Sequence, residues 1–200
     1  MPRIQGGMGI INPKANRPGT IGLIAAKGAS RYLVSCYHVL CRPDLTAFQK
    51  GEPIYLAADV NQAVPVARAE QGLADLDAAA ALVVDGVEAF AGIIGLAPLA
   101  EPAEPEEGMT VVKVGHATGK TEGQICRVEA DDVWIEPLAG AAGGPISGGG
   151  DSGTVWVWKD TWAPVVLHTG TNDTGVIPYA RGLSLLRALD SLGLKILSDG

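Results

Sequence analysis

Basic residues are scarce in this 200-residue chain: 15 Lys and Arg stand against 22 Asp and Glu, for a net charge of −7. A nucleic-acid surface needs a basic stripe, and none is present, so no nucleic-acid partner is expected. Charge of either sign is also low, at 18% of residues against 47% hydrophobic, which excludes a disordered chain. No apolar run approaches the 18 residues of a membrane span. No basic segment leads into an apolar stretch near the start, so the expectation is a cytoplasmic protein. Cysteine is limited to Cys36, Cys41 and Cys126. Their odd number and spacing offer neither a disulfide scaffold nor a metal cluster, so reduced thiols, no metal and no cofactor are expected. A Cys36–Cys41 bridge would require export.

The 27 glycines and 13 prolines punctuate short apolar or alternating runs. Strand candidates are 20–24, 32–35, 54–57, 64–67, 80–84, 109–114, 123–128, 132–135, 154–158 and 165–168, a spacing that favours a sandwich or barrel. Ala78–Ala81 has helical propensity but is short and runs into Leu82. The Pro/Glu-rich segment 98–108 has no periodicity and reads as a linker. It separates a module over 1–97 from another over 109–200; the alternative is a long loop in one domain. Beyond Ala180, Leu183, Leu186, Leu189 and Leu192 recur near helical spacing, which predicts a terminal amphipathic helix.

The most informative stretch is Gly148-Gly149-Gly150-Asp151-Ser152-Gly153. It places a hydroxyl in a turn with backbone N–H groups close by, as a nucleophile attacking a carbonyl requires. A flexible surface loop would have the same composition. His38 closes a strand-like run, and a polar ring there needs a partner. Asp75 and Asp77 precede a small-residue strand; Asp75 reads as a solvated loop acid, whereas Asp77 can sit beside an imidazole. The order His38, Asp77, Ser152 is one of those in which a nucleophile–base–acid triad occurs. In it Ser152 attacks, His38 takes and returns the proton, Asp77 fixes the imidazole, and the N–H groups of Gly150 and Ser152 hold the oxyanion. The segment 115–121 mimics a phosphate-binding loop but has three residues between its glycines where four are needed.

With these residues in view, the chain resembles trypsin-like (chymotrypsin-fold) serine proteases of bacterial type. The resemblance rests on Leu33-Val34-Ser35-Cys36-Tyr37-His38-Val39-Leu40, Asp77-Ala78-Ala79 and Gly150-Asp151-Ser152-Gly153. It extends through Gly19-Thr20-Ile21-Gly22, Val112-Lys113-Val114-Gly115, Thr118 to Gly123, Leu167-His168-Thr169-Gly170 and Tyr179-Ala180. It implies an all-β fold of two antiparallel six-stranded barrels with a C-terminal helix, and the triad between them. It also implies a serine endopeptidase acting on a protein or peptide; the alternative is a peptide-binding module that does not cut. With no leader visible a general digestive role is not expected, and dedication to a specific partner protein is expected in its place. The pocket floor then falls at Ile146 beside Ser147, which offers no carboxylate for a basic side chain. The facing wall is His168, Thr169, Gly170 and Thr171. Glutamyl endopeptidases and picornaviral proteases carry a histidine at the position of His168, so a preference for Glu or Gln is expected. Arg3-Ile4 resembles an activation cleavage site, although bacterial relatives often dispense with that device. The oligomeric state is not legible.

Overall fold

Alternation of small and branched side chains across two faces organises the first half of the protein. The structure is a computed structural model that describes residues 1–42, 48–59, 64–139, 144–172 and 179–197. Nine strands come first: β1 (Arg3–Gly6), β2 (Gly9–Asn12), β3 (Arg17–Thr20), β4 (Leu23–Lys27), β5 (Ser30–Ser35), β6 (Pro53–Leu56), β7 (Ala67–Leu73), β8 (Ala78–Val83) and β9 (Glu88–Ile93). Successive residues of a strand point to opposite faces, and this is visible in the alanines of β8. Ala79 and Ala81 join Ile4, Ile10, Ile24, Leu33 and Ile54 in one core. Ala78 and Ala80 join Leu23, Val34, Val112, Val155 and Leu167 in another. A strand buried on both faces this tightly has room only for methyl groups, so packing overrides the helical propensity of alanine.

The second half contains β10 (Thr110–Gly115), β11 (Gly119–Glu129), β12 (Asp132–Pro137), β13 (Val155–Trp158), β14 (Pro164–Asn172) and β15 (Tyr179–Ser184). These six close into a barrel in the order β10-β11-β12-β15-β14-β13. Its interior holds Val111, Ile125, Val133, Ile135, Trp156, Val165 and Ala180. Strands of the first half form an eight-stranded sheet, β16-β4-β5-β8-β7-β6-β2-β3, in which β16 (Lys195–Ile196) comes from the far end of the chain. The pairing there is antiparallel throughout, whereas β1 and β9 form a separate parallel pair. The two halves share one apolar core: Leu23, Val34 and Ala80 meet Val112, Val157, Leu167 and Leu183.

The expected terminal helix is α2 (Leu185–Leu192), following a single turn, α1 (Tyr37–Leu40). It starts later than the leucine spacing suggests: Leu183 lies in β15, and Ser184 caps the helix by accepting from the Arg187 N–H. Gly193, at φ 63°, ends it in the left-handed conformation. Leu185, Ala188, Leu189 and Leu192 are its buried face. The expected run 20–24 is broken at Ile21-Gly22, and the one at 64–67 gives way to a strand starting at Ala67. The segment 97–108 contains no strand; Ala100 and Ala103 donate to Trp162 O and Pro164 O and fasten it to the second half. No described helix is long and apolar enough to cross a membrane.

Candidate active site

His38 lies in α1, the single turn that follows β5, with its side chain part-exposed. Its Nδ1 is 2.7 Å from Asp77 Oδ2 and 3.0 Å from Oδ1. The His38 N–H also donates to Asp77 Oδ1 at 3.0 Å, and the Tyr37 N–H donates to the Asp77 carbonyl at 3.1 Å. Asp77 itself has φ 48° and ψ 37°, left-handed backbone that aspartate tolerates better than most residues. The strained residue is therefore clamped from two sides, with its carboxylate gripping both the backbone and the ring of His38. Asp75 is exposed and has no part in this.

The serine loop is fastened to the first half through Thr20. Thr20 N–H donates to Ser152 O at 2.8 Å, Thr20 Oγ1 donates to Gly150 O at 2.8 Å, and the Ser35 hydroxyl donates to Thr20 O at 2.8 Å. A Cβ on Gly19 would lie 2.5 Å from Val39 and 2.9 Å from Ser152 O. The chain beside His38 and the chain at Ser152 thus converge on one glycine. Ser152 is part-buried. Among the described residues no hydrogen bond joins Ser152 Oγ to His38 Nε2, and the N–H groups of Gly150 and Ser152 meet no acceptor. Catalytic hydrogen bonds are often long in unliganded sites.

Asp151 faces away from the solvent side of this loop. It is fully buried and forms an ion pair with Lys113, also fully buried, at 2.8 Å. Its carboxylate also accepts from the N–H groups of Gly148, Ala117 and Thr118 at 3.0, 2.8 and 3.1 Å, and from the Thr118 hydroxyl at 2.6 Å. Burial acts to raise the carboxyl, but the hydrogen bonds from Lys113 and Thr118 outweigh it and hold it below the ordinary range. Gly115 leaves room for this pair, since a Cβ there would lie 2.3 Å from Asp151 Oδ1. Activation by cleavage after Arg3 therefore has no vacant carboxylate to meet: Lys113 occupies Asp151, and Ile4 is buried in β1. The basic partner was visible in the sequence at Lys113, an unusual lysine among apolar strand residues.

Of the expected pocket residues, Ile146 packs inside the second barrel, and its carbonyl accepts from Thr121 Oγ1 at 2.6 Å. Ser147 and His168 are buried, Thr169 and Gly170 are part-buried, and Thr171 is exposed. The His168 carbonyl accepts from Gly153 N–H at 2.8 Å and from Cys36 Sγ at 3.1 Å, which sets it against the serine loop. Burial pushes the His168 ring down to about 3, so it is neutral. Behind Asp77, a cavity of about 550 Å3 extends between Asp75, Asp77, Thr169, Thr171 and Arg181.

Cys36, His38 and Asp77 offer ligand atoms within 4.8 Å of one another. They do not make a ready metal site. Burial pushes the Cys36 thiol well up, it already donates to His168, and Asp77 is engaged by His38. All three cysteines are free, with Cys36 and Cys41 buried. The phosphate-loop mimic turns out to be the β10–β11 hairpin that wraps Asp151.

No protein-family model matches the chain, and no curated protein matches it. Solved structures do. A glutamic-acid-specific serine protease that uses a histidine triad in substrate binding shares 18% identity over 97% of this chain and 100% of its own, at a TM-score of 0.75. Thermobifida fusca protease A shares 15% over 98% and 99%, at 0.74. Nocardiopsis protease shares 14% over 98% and 100%, at 0.73. The chain has the fold of the bacterial chymotrypsin-like serine proteases over nearly its whole length.

Proposed function

We propose that the protein is a serine endopeptidase that hydrolyses peptide bonds of a protein substrate through Ser152, His38 and Asp77. The observation that carries this reading is the Asp77–His38 pair, with Nδ1 and Oδ2 2.7 Å apart, on a fold whose serine loop is tied to the same edge through Thr20. His38 Nε2 accepts the Ser152 proton as Oγ attacks the carbonyl. The N–H groups of Gly150 and Ser152, which have no acceptor among the described residues, receive the developing oxyanion. His38 then protonates the leaving amine, and water repeats the sequence on the acyl-enzyme. Asp77 orients the ring and stabilises its protonated form. The two halves, 1–97 and 109–200, contribute His38 with Asp77 and Ser152 respectively.

The substrate side chain before the scissile bond meets Ser147 and His168, with Thr169, Gly170 and Thr171 along the strand. Ile146 supplies no carboxylate, so a basic side chain finds no counter-charge. A Glu or Gln preference fits this lining, and one structural neighbour is specific for glutamic acid. Dedication to a partner protein is part of the same reading. The missing Ser152–His38 hydrogen bond favours a second reading, a cleft that binds peptides without cutting. Fluorophosphonate labelling decides between them. Labelling of the wild type that disappears in Ser152→Ala supports the endopeptidase, and a wild type that never labels supports the binding module.

A further inference from the structure

Thr20 is fully buried where the two halves meet, and each of its polar atoms is engaged. Two of its hydrogen bonds reach the serine loop: its N–H donates to Ser152 O and its hydroxyl to Gly150 O, each at 2.8 Å. Gly150 and Ser152 are also the residues whose N–H groups face the oxyanion in the endopeptidase reading. One threonine of the first half therefore holds the carbonyl of each donor residue.

The direction of its hydroxyl is fixed. The His116 N–H, which can only donate, reaches Thr20 Oγ1 at 3.0 Å, and the Gly150 carbonyl can only accept. The single hydroxyl proton thus lies towards Gly150 O. His116 is itself set in place. The N–H groups of Ala117 and Thr118 that follow it donate to Asp151 Oδ1. Its ring lies against Gly9, the strand partner of Thr20, where a Cβ would come within 2.4 Å of Nδ1.

Gly150 requires such a hold. It adopts φ 108°, a conformation that glycine enters freely. A Cβ on the neighbouring Gly149 would meet nothing within 4 Å. Side-chain packing leaves this stretch free to turn, and hydrogen bonds to its carbonyls restrain it. Oxyanion donors are effective when they are aimed before the charge develops.

We propose that Thr20 is a positioning residue of the oxyanion site: its hydroxyl, oriented by the His116 N–H, holds the Gly150 carbonyl and so aims the Gly150 N–H at the developing oxyanion. The proposal rests on the endopeptidase reading and deepens it.

The test compares Thr20→Val, which keeps the shape and the backbone N–H but loses the hydroxyl, with Thr20→Ser, which keeps the hydroxyl. Steady-state kinetics across pH use the peptide that the wild type cleaves fastest in a random library, and urea unfolding reports the fold. Removing an oxyanion donor outright costs about 10²–10³ in kcat, so misaiming one should cost Thr20→Val roughly 10–100-fold. KM and the pH dependence set by His38 should stay as in the wild type, because the lost contact acts in the transition state. A peptide boronate, whose tetrahedral adduct carries the oxyanion, should weaken by a similar factor. Thr20→Ser should recover most of the activity. A folded Thr20→Val with wild-type kcat overturns the proposal, as does a loss carried by KM or one that Thr20→Ser shares in full. If Thr20→Val does not fold, NMR of the wild type decides. A Thr20 hydroxyl proton protected from exchange and coupled to the Gly150 carbonyl carbon supports the role, and a freely exchanging one overturns it. A wild type that neither cleaves nor takes the fluorophosphonate label overturns the protease reading and this role with it, whereas in a wild type that cleaves any failure belongs to Thr20 alone.

Discussion

Lys113 and Asp151 form a fully buried ion pair whose acidic member is the residue immediately before Ser152. Removing one partner of such a pair leaves a bare charge in the interior, which typically destabilises by about 3–5 kcal/mol. Lys113→Met is therefore expected to lower the urea midpoint sharply. It should also reduce labelling at Ser152, because the loop's anchors at Gly148, Ala117 and Thr118 converge on the same carboxylate. Chemical denaturation and probe labelling on one preparation check both outcomes.

The Asp77 carboxylate serves the His38 ring, whereas Asp75 is exposed. Asp77→Asn should keep the fold and lower turnover by roughly 10⁴-fold, the effect seen when the ring loses its orienting acid. Asp75→Asn should leave turnover within about twofold, because its exposed carboxylate takes no part in the Asp77–His38 pair. Steady-state kinetics with circular dichroism on both variants separates chemistry from folding; reversed effects would move the acid to Asp75.

Gly153 adopts φ 90°, and a Cβ there would sit 1.9 Å from Ser35 Oγ and 2.6 Å from Thr20 O. Gly153→Ala should abolish the native serine loop. Adding Ser35→Ala should fail to rescue it, since the clash with the Thr20 backbone remains. Ser35→Ala alone removes a single hydrogen bond and should cost about 1–3 kcal/mol. Thermal unfolding of the three variants gives the ordering.

Stability should also report the burial of His168. Its folded value of about 3 lies below the ordinary 6.5 of a histidine in an unfolded chain. The unfolded state therefore binds the proton first as pH falls. The contribution is complete above about pH 6.5 and declines towards pH 3, by up to ~1.4 kcal/mol per unit. His168→Gln should flatten this part of the stability–pH curve. Asp151, held low, adds its own loss only below the ordinary carboxylate range.

Thiol chemistry offers a last check. Burial raises Cys36 strongly and Cys41 to about 12, and both are buried, whereas Cys126 is part-exposed and less protected. A native-state thiol titration should modify Cys126 first, with Cys36 and Cys41 reacting only on unfolding.

The architecture was legible where chemistry forced a residue type. Gly150 and Gly153 adopt φ 108° and 90°, which favour glycine, and His38 stands in α1, where the apolar run of β5 breaks off. The strand pattern predicted β10 to β14 to within a few residues, because β-branched residues and turn punctuation agree there. It failed at β1, β2 and β9, whose short segments carry glycine or charge and are ordered by their neighbours. It also misread Leu183, since a strand running straight into a helix blends two periodicities. Of the two barrels expected, the second-half barrel closes fully, and the first-half one is seen in part, as an eight-stranded sheet. The left-handed backbone of Asp77 left no signal at all, and the partner of Asp151 could be found only by noticing a lysine where the barrel wants an apolar residue.

The last strand, β16, pairs Lys195 and Ile196 with Ala26 and Ala25 of β4. The edge of a sheet begun in the first thirty residues is thus completed by residues near 196. On the ribosome, that edge stays bare until residues 195 and 196 have emerged, long after β4 and its neighbour β5. A chain stalled short of β16 therefore carries the loop of Ser152 on a sheet whose outer strand is still open.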